Sequence, residues 1–401
     1  MHVDLNRLIY KDLENEIGRS FISILIGPRQ VGKTFLMRQL FAKCQNDGMK
    51  TEFYNLEDPD DLRSFSGSDE QIIRKLKSSK ADVLLIDEFH YLKNATRIFK
   101  VLFDSGAKTK VFASGSSSME MHKHLKESLA GRFRRTIVHP LFWREMRQLP
   151  DVSLEEYLRF GGLPGLAHEP GPESRMALLK NVLQTYLLKD IKSLIREENI
   201  RAFNALLYSI AQYQGQLVSV AALARDVGLS EPAVKHHLDL LALTYVCFPI
   251  ESYSRNLANE LKKARKYYLF DTGIRNSILS DFSPLETRPD KGAILESFVL
   301  LSVMKQLKPN MEVKFWRTRQ GDEVDLILLK NRIPVPVEVK YRAIGLAPPA
   351  GIRKFLQKYQ DAPHAIVFCG DARGEVECCG RRVRFMDWQD AEEIEYLQSV
   401  D

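Results

Sequence analysis

Cysteine is scarce and poorly placed for a scaffold. The five residues, Cys44, Cys247, Cys369, Cys378 and Cys379, are odd in number, and no pair has C-x-x-C spacing. A disulfide framework and a zinc ribbon both need more, so reduced thiols are the simplest reading. Long apolar runs are missing too: none approaches the ~20 residues that cross a bilayer, so neither a membrane span nor a membrane partner is expected. The opening stretch MHVDLNRLIYKDLENEIG lacks the basic region, apolar block and small-residue cleavage site of a secretory leader. A cytoplasmic protein is expected. Charge of one sign is also absent, because 58 Lys and Arg against 52 Asp and Glu leave only +6. That balance permits contact with nucleic acid without demanding it. No internal repeat or low-complexity tract interrupts the 401 residues, which suffice for two or three separate cores.

What is present is patterned. FISILIG, TEFYNLED, ADVLLIDEF and KVFASG are short apolar runs separated by longer helical stretches. This alternation predicts an α/β unit with a parallel sheet covered on both faces. The chain then reads as helical from Leu141 to about Leu217, as helix-turn-helix and two strands to Asp271, and as a second βα-rich unit after RPDKG. The expected boundaries are 1–140, 141–217, 218–285 and 286–401, with a last helix in DAEEIEYLQSVD.

GPRQVGKT fits G-x-x-x-x-G-K-[ST], follows an apolar strand and opens the amphipathic run TFLMRQLFAKC. By residue frequency the spacing alone arises in about one or two chains in a hundred of this length. The strand-before, helix-after context makes accident rarer still. Gly27 and Gly32 let the backbone curl until successive N–H groups face phosphate oxygens, and the helix N-terminus adds positive potential. Gly27, Gln30, Val31, Gly32, Lys33, Thr34 and Phe35 are therefore the candidate nucleotide-binding set. Lys33 is expected to reach the β- and γ-phosphates of ATP, and the Thr34 hydroxyl to hold Mg²⁺. VLLIDEF buries a central strand and delivers Asp87 to its C-terminal edge, beside the Mg²⁺ shell, with Glu88 set to polarise the attacking water. KVFASGSSS ends in the hydroxyls Ser114, Ser116 and Ser117. One of them, Ser114 first, either senses the γ-phosphate or caps a turn. In LAGRFRR, Arg132 either neutralises transition-state charge, within its subunit or across a homo-oligomer interface, or makes a structural ion pair.

GPRQVGKT, LLIDEFHYL, ASGSSS, LAGRFRRTIVHPLFWREM and FGGLPGL together resemble a family of bacterial and archaeal AAA-type ATPases. In that family the C-terminal half carries a winged helix and then a restriction-endonuclease-like domain. The resemblance spans nearly the whole chain. It implies an ATPase core with Lys33, Thr34, Asp87 and Glu88 in the roles above, followed by a helical lid, and it supplies no cellular substrate.

SVAALARDVGLSEPAVKHHLDLLALTYVCF has helix-turn-helix grammar. Ser219 caps the first helix, Gly228 ends it, Ser230 caps the second, and Pro232 is tolerated in its first turn. A ribbon of CFPIESY and KYYLFDT would complete a winged helix, flanked by Lys262, Lys263, Arg265 and Lys266. The outward residues of the second helix, Glu231, Lys235, His236 and Asp239, nearly cancel in charge, which weakens readout of base edges. The module is either a nonspecific grip on DNA phosphates or a connector.

A bare D…E-x-K arises about once by chance in a chain this long. Placement makes it informative. In PVPVEVK, Val335, Val337 and Val339 share one strand face while Glu338 and Lys340 share the other. EVDLILL precedes it through KNR, so Asp325 is expected beside Glu338. The order helix (Ala293–Gln306), EVKFWR, EVDLILL, PVPVEVK, helix AGIRKFLQKY, HAIVFCG resembles the PD-(D/E)xK nuclease core. Glu296 on the first helix matches an extra carboxylate of some members. Asp325, Glu338 and Glu296 would hold a second Mg²⁺ or a Mn²⁺ that activates water, with Lys340 orienting the nucleophile. The alternative pairs Lys340 with Glu338 or Asp325 in a scaffold that has lost cleavage. The chain is thus expected to be an ATPase coupled to DNA handling, or a nucleotide-gated switch that binds partners without cutting. A DExH helicase, suggested by DEFH, is disfavoured because one phosphate-binding core occurs and no second helicase lobe.

Overall fold

A computed structural model describes residues 6–106, 108–116, 131–150, 152–185, 200–255 and 265–393. The chain divides into two units, Met1–Leu141 with Asp239–Val246, and Phe142–Leu238 with Cys247–Asp401. No helix among the described residues is long and apolar enough to cross a membrane.

In the first unit, β1 (Ile22–Gly27), β2 (Thr51–Asn55), β3 (Val83–Asp87), β4 (Lys110–Ser116) and β5 (Phe133–Ile137) form a sheet in the order β2-β3-β4-β1-β5. Every neighbouring pair is parallel. All residues of β1 and β3 are buried, as strands covered on both faces must be. The helix Lys33–Asn46 buries Leu36, Met37, Leu40 and Cys44, and the helix Ala95–Asp104 buries Ile98, Phe99 and Leu102. Parallel strands put their C-terminal ends on one edge, where open α/β sheets bind ligands. The four apolar runs became strands as expected. β5 is an addition that its pattern concealed: it lies at the sheet edge, where Arg134 and Arg135 are exposed, so it carries no apolar run to betray it.

The second unit begins with helices at Trp143–Met146, Leu154–Phe160, Pro172–Val182 and Ile200–Gln212. β6 (Leu217–Val218), helices Val220–Val227 and Glu231–Leu243, β7 (Cys247–Ile250) and β8 (Arg265–Leu269) follow, with sheet order β6-β8-β7. The Ser219 hydroxyl accepts from Ala222 N–H, Gly228 is left-handed at φ 70°, and the Ser230 hydroxyl accepts from Ala233 N–H. Val234, Leu238 and Leu241 are buried, while Glu231, Lys235, His236 and Asp239 face solvent. Ser117, Lys262 and Lys263 lie outside the described residues, as does the tail beyond residue 393.

The helix Lys291–Met304 leads into β9 (Met311–Arg317), β10 (Glu323–Lys330) and β11 (Ile333–Lys340). The helix Ala350–Lys358, β12 (His364–Cys369), β13 (Gly374–Cys378) and β14 (Arg381–Met386) complete a sheet ordered β13-β14-β12-β11-β10-β9. β9, β10 and β11 are antiparallel neighbours, and β12 joins β11 in parallel. β13 and β14 extend the expected succession. β14 buries Val383 and Phe385 in the core on one face, while its other face pairs charge with β13, as at Arg384 Nε 2.8 Å from Glu375 Oε1. The edge strand β9 is not left bare: the chain following β7 runs beside it, with Tyr253 N–H on Phe315 O at 2.6 Å and Phe315 N–H on Glu251 O at 3.0 Å.

The FGGLPGL turn is a packing device. Gly161 has φ 81° and ψ −168°, and a Cβ there would lie 2.0 Å from Asp271 Oδ1. Buried Asp271 caps the helix Thr272–Leu279 through Ile274 N–H at 3.0 Å and also accepts Gly162 N–H at 2.8 Å. Gly161→Ala therefore combines a glycine-only conformation with a clash, and a loss of about 1–3 kcal/mol is expected in chemical denaturation. An alanine variant as stable as the parent would refute this packing.

Candidate nucleotide site and carboxylate cluster

The end of β1 turns sharply at Gly27, whose φ is 151° and whose Cβ would lie 2.3 Å from Val138 O. Gln30 at φ 60° and Gly32 at φ 90° continue the curl into the helix Lys33–Asn46. Gly32 provides no side-chain cap, so the first-turn N–H groups are left facing outward. The loop is clamped from behind. Arg7, nearly buried, donates to Val31 O at 2.9 Å and His139 O at 2.8 Å. The sequence reading missed Arg7, because one arginine ahead of a short helix carries no spacing signal.

Lys33 is buried and folds back on its own loop, with Nζ 2.7 Å from Pro28 O and 3.2 Å from Gly27 O. Burial pushes its ammonium down to about 8, against the upward pull of Glu88 and Asp87. Asp87 is fully buried at the end of β3. Its Oδ1 accepts the Ser114 hydroxyl and the Glu88 N–H at 3.1 Å, while Oδ2 has no partner among the described residues. The orphaned buried oxygen of Asp87 is the atom that would meet the water shell of a Mg²⁺ ion, for which the Thr34 hydroxyl would be the direct ligand. Ser114 thus orients Asp87 in this state. Glu88 adopts a left-handed backbone at φ 52°, and its Oε2 lies 3.0 Å from His90 Nδ1. Phe89 and His90 cover Gly115, where a Cβ would come within 3.3 Å of the Phe89 ring. Phe35 is exposed beside the loop. Arg132 Nε lies 2.7 Å from Asp104 Oδ1, an ion pair at the end of the helix Ala95–Asp104.

In the second unit, the register pairs Leu326 with Val337, which sets Asp325 next to Glu338. Asp325 Oδ2 accepts Val339 N–H at 2.8 Å. Glu338 is 6% exposed; its Oε1 takes Lys340 Nζ at 2.6 Å, and its Oε2 has no partner among the described residues. Burial, then the Asp325 charge, push the Glu338 carboxyl up to about 8. Burial likewise raises Glu296 to about 7. Of this pair, the open Glu338 Oε2 is the atom that would meet a hard divalent cation, which would displace the proton that burial favours there. Glu296 is engaged elsewhere, by Lys266 Nζ at 3.1 Å and the Tyr268 hydroxyl. Among the described residues no three His, Cys, Asp or Glu side chains are arranged around one metal position.

Residues 19–147 match a family model described as an AAA domain. Two domains of unknown function match the remainder, DUF8612 over residues 151–285 and DUF4143 over 291–383. The uncharacterized protein Rv2008c of Mycobacterium tuberculosis is 29% identical over 364 residues, covering 90% of this chain and 79% of that protein. The uncharacterized protein MJ1544 of Methanocaldococcus jannaschii is 24% identical over 350 residues, 80% of this chain and 75% of its own length. Among solved structures, AMPPCP-bound DnaA from Aquifex aeolicus shows 13% identity and a TM-score of 0.28, over 60% of this chain and 88% of that one. Pif1 helicase from Candida albicans shows 15% identity and a TM-score of 0.27, over 45% and 48%. Scores this low carry no functional inference.

Phosphate would favour the charged form of Lys33, whose ammonium is pushed down to about 8 by burial. Binding of ATP at pH 8.5 should therefore take up protons, and affinity should fall as pH rises through 8 to 9. Calorimetry in two buffers of different ionisation enthalpy reads the uptake directly. It should vanish in Lys33→Met.

Proposed function

We propose that this chain binds and hydrolyses ATP with Mg²⁺ and couples the nucleotide state to the handling of DNA. The observation that carries the reading is the pairing of an uncapped, glycine-curled helix start at Gly32 with buried Asp87, whose Oδ2 is open. Thr34 and, through water, Asp87 would hold Mg²⁺, which would supply positive charge against the phosphate charge that develops. The protein's part is positioning. Amides from Gln30 to Phe35 cradle the phosphates, Lys33 leaves the Pro28 carbonyl for the β- and γ-phosphates, and Glu88 orients the attacking water. Arg132 would act as a finger only after leaving Asp104.

The helix pair at Val220–Leu243 with its ribbon has the make-up of a winged helix. The order of helix Lys291–Met304, β9, β10, β11, helix Ala350–Lys358 and β12 supports a PD-(D/E)xK-type fold. In that reading Asp325 and Glu338 hold Mg²⁺ or Mn²⁺, and Lys340 holds the nucleophile. The outer face of the helix Glu231–Leu243 nearly cancels in charge, which disfavours base readout by this helix and leaves any grip on DNA phosphates to basic residues outside it. The same face suits the second reading, a nucleotide-gated switch whose second unit binds partners without cleavage.

Turnover measurements separate the two. Stimulation of ATP hydrolysis by DNA, lost in Lys33→Ala by at least tenfold, is expected for coupled DNA handling; slow turnover indifferent to DNA would favour the switch. Supercoiled plasmid with Mn²⁺ tests the second unit separately. Nicking should persist in Lys33→Ala and disappear in Glu338→Ala, and nicking that survives Glu338→Ala would rule out this site as its source.

A further inference from the structure

The carboxylate cluster of the second unit contains Lys266, which the sequence placed among the basic residues flanking the ribbon and which is instead buried against carboxylates. β8 delivers Lys266 and, two residues on along the same face, Tyr268. Lys266 is 1% exposed, and its Nζ lies 3.1 Å from Glu296 Oε1 and 2.7 Å from Glu323 Oε1. The ring of Phe315 covers it at 5.4 Å. The Tyr268 hydroxyl donates to the same Glu296 oxygen. Glu323 also meets Arg317 Nη1 at 3.2 Å. The cluster therefore has two sides. On one, Glu296 and Glu323 are satisfied by an ammonium, a hydroxyl and a guanidinium. On the other, Lys340 pairs with Glu338, Asp325 accepts Val339 N–H while its charge acts on both lysines, and Glu338 Oε2 stays open.

An ammonium with three donors occupies the space between two carboxylates that a hard cation would otherwise bridge. We propose that Lys266 is a built-in cation which closes the Glu296–Glu323 side of the cluster, so that the site takes a single divalent ion on Asp325 and Glu338. This rests on the metal-site reading given above. It narrows the chemistry: a symmetric two-metal clamp on attacking and leaving oxygens is unavailable, and one ion must serve with Lys340. It also makes the β6-β8-β7 sheet part of the site, since the residue that limits its metal content comes from β8 and not from the six-stranded sheet.

The test counts bound Mn²⁺ by the loss of the free-ion paramagnetic resonance signal, in the full chain without nucleotide. Four proteins are compared: the parent, Lys266→Met, Lys266→Met with Glu296→Gln, and Glu338→Ala. Any ion held near Asp87 is common to all and cancels in the differences. Lys266→Met is expected to bind one more equivalent than the parent, and the double variant to return to the parental count. A purely structural lysine would leave the count unchanged in a folded Lys266→Met, which would overturn the proposal. Should that variant unfold alone, recovery of its thermal transition on adding Mn²⁺ supports the proposal, and failure to recover overturns it. Glu338→Ala reports separately on the underlying reading. A count equal to the parent's there would remove the ion from Asp325 and Glu338, whatever Lys266→Met shows.

Discussion

A carboxylate buried at the end of a strand stays ionised only if its oxygens meet donors or a cation; otherwise the cost reaches several kcal/mol and the group takes up a proton. Both strands singled out by the sequence put a carboxylate in that position. Asp87 uses one oxygen for Ser114 and its neighbour's N–H and leaves the other open. Glu338 gives one oxygen to Lys340 and leaves the other open. The residues preceding each are apolar and packed, so neither side chain reaches water without disrupting its sheet. A half-satisfied carboxylate fixed in this way must either take up a proton or meet a cation, and relief of its burial cost would contribute to the affinity for either.

Two buried lysines show how the same physics gives opposite outcomes. Lys33 faces backbone carbonyls, with the carboxylates too remote to offset desolvation, and its ammonium is pulled down to about 8. Such a group is available, because a phosphate tail offers it a better partner than Pro28 O. Lys266 is just as hidden, yet Glu296, Asp325 and Glu323 outweigh the desolvation and raise it above its ordinary value. That lysine is committed. Availability follows from what surrounds a charge, not from how deeply it is buried.

Much of the first site was legible because the phosphate loop is local. Its glycines, lysine and threonine are consecutive, and the flanking strand and helix are written in the hydrophobic period. The alternation in PVPVEVK likewise placed Glu338 and Lys340 on one face, and the short KNR connection brought Asp325 alongside. Less legible were β5, β13 and β14, which interleave a few apolar residues with charged ones and whose pairing depends on a neighbour already in place. Arg7 escaped because its acceptors, Val31 O and His139 O, are backbone atoms without a residue signature.

By itself the sequence determined the apolar strands and the periodic helices, their order, and which side chains share a strand face, since these depend on periods of two and 3.6 residues and on turn chemistry within a few positions. Only the tertiary structure decided which charges meet. Glu296 faces Lys266, thirty residues earlier in the chain, instead of joining Asp325 and Glu338 around one position. Ser114 is turned to Asp87, and Arg132 to Asp104. Electrostatic partnership is settled by distance and burial, and both are set by how sheets and helices pack long after the local pattern has been read.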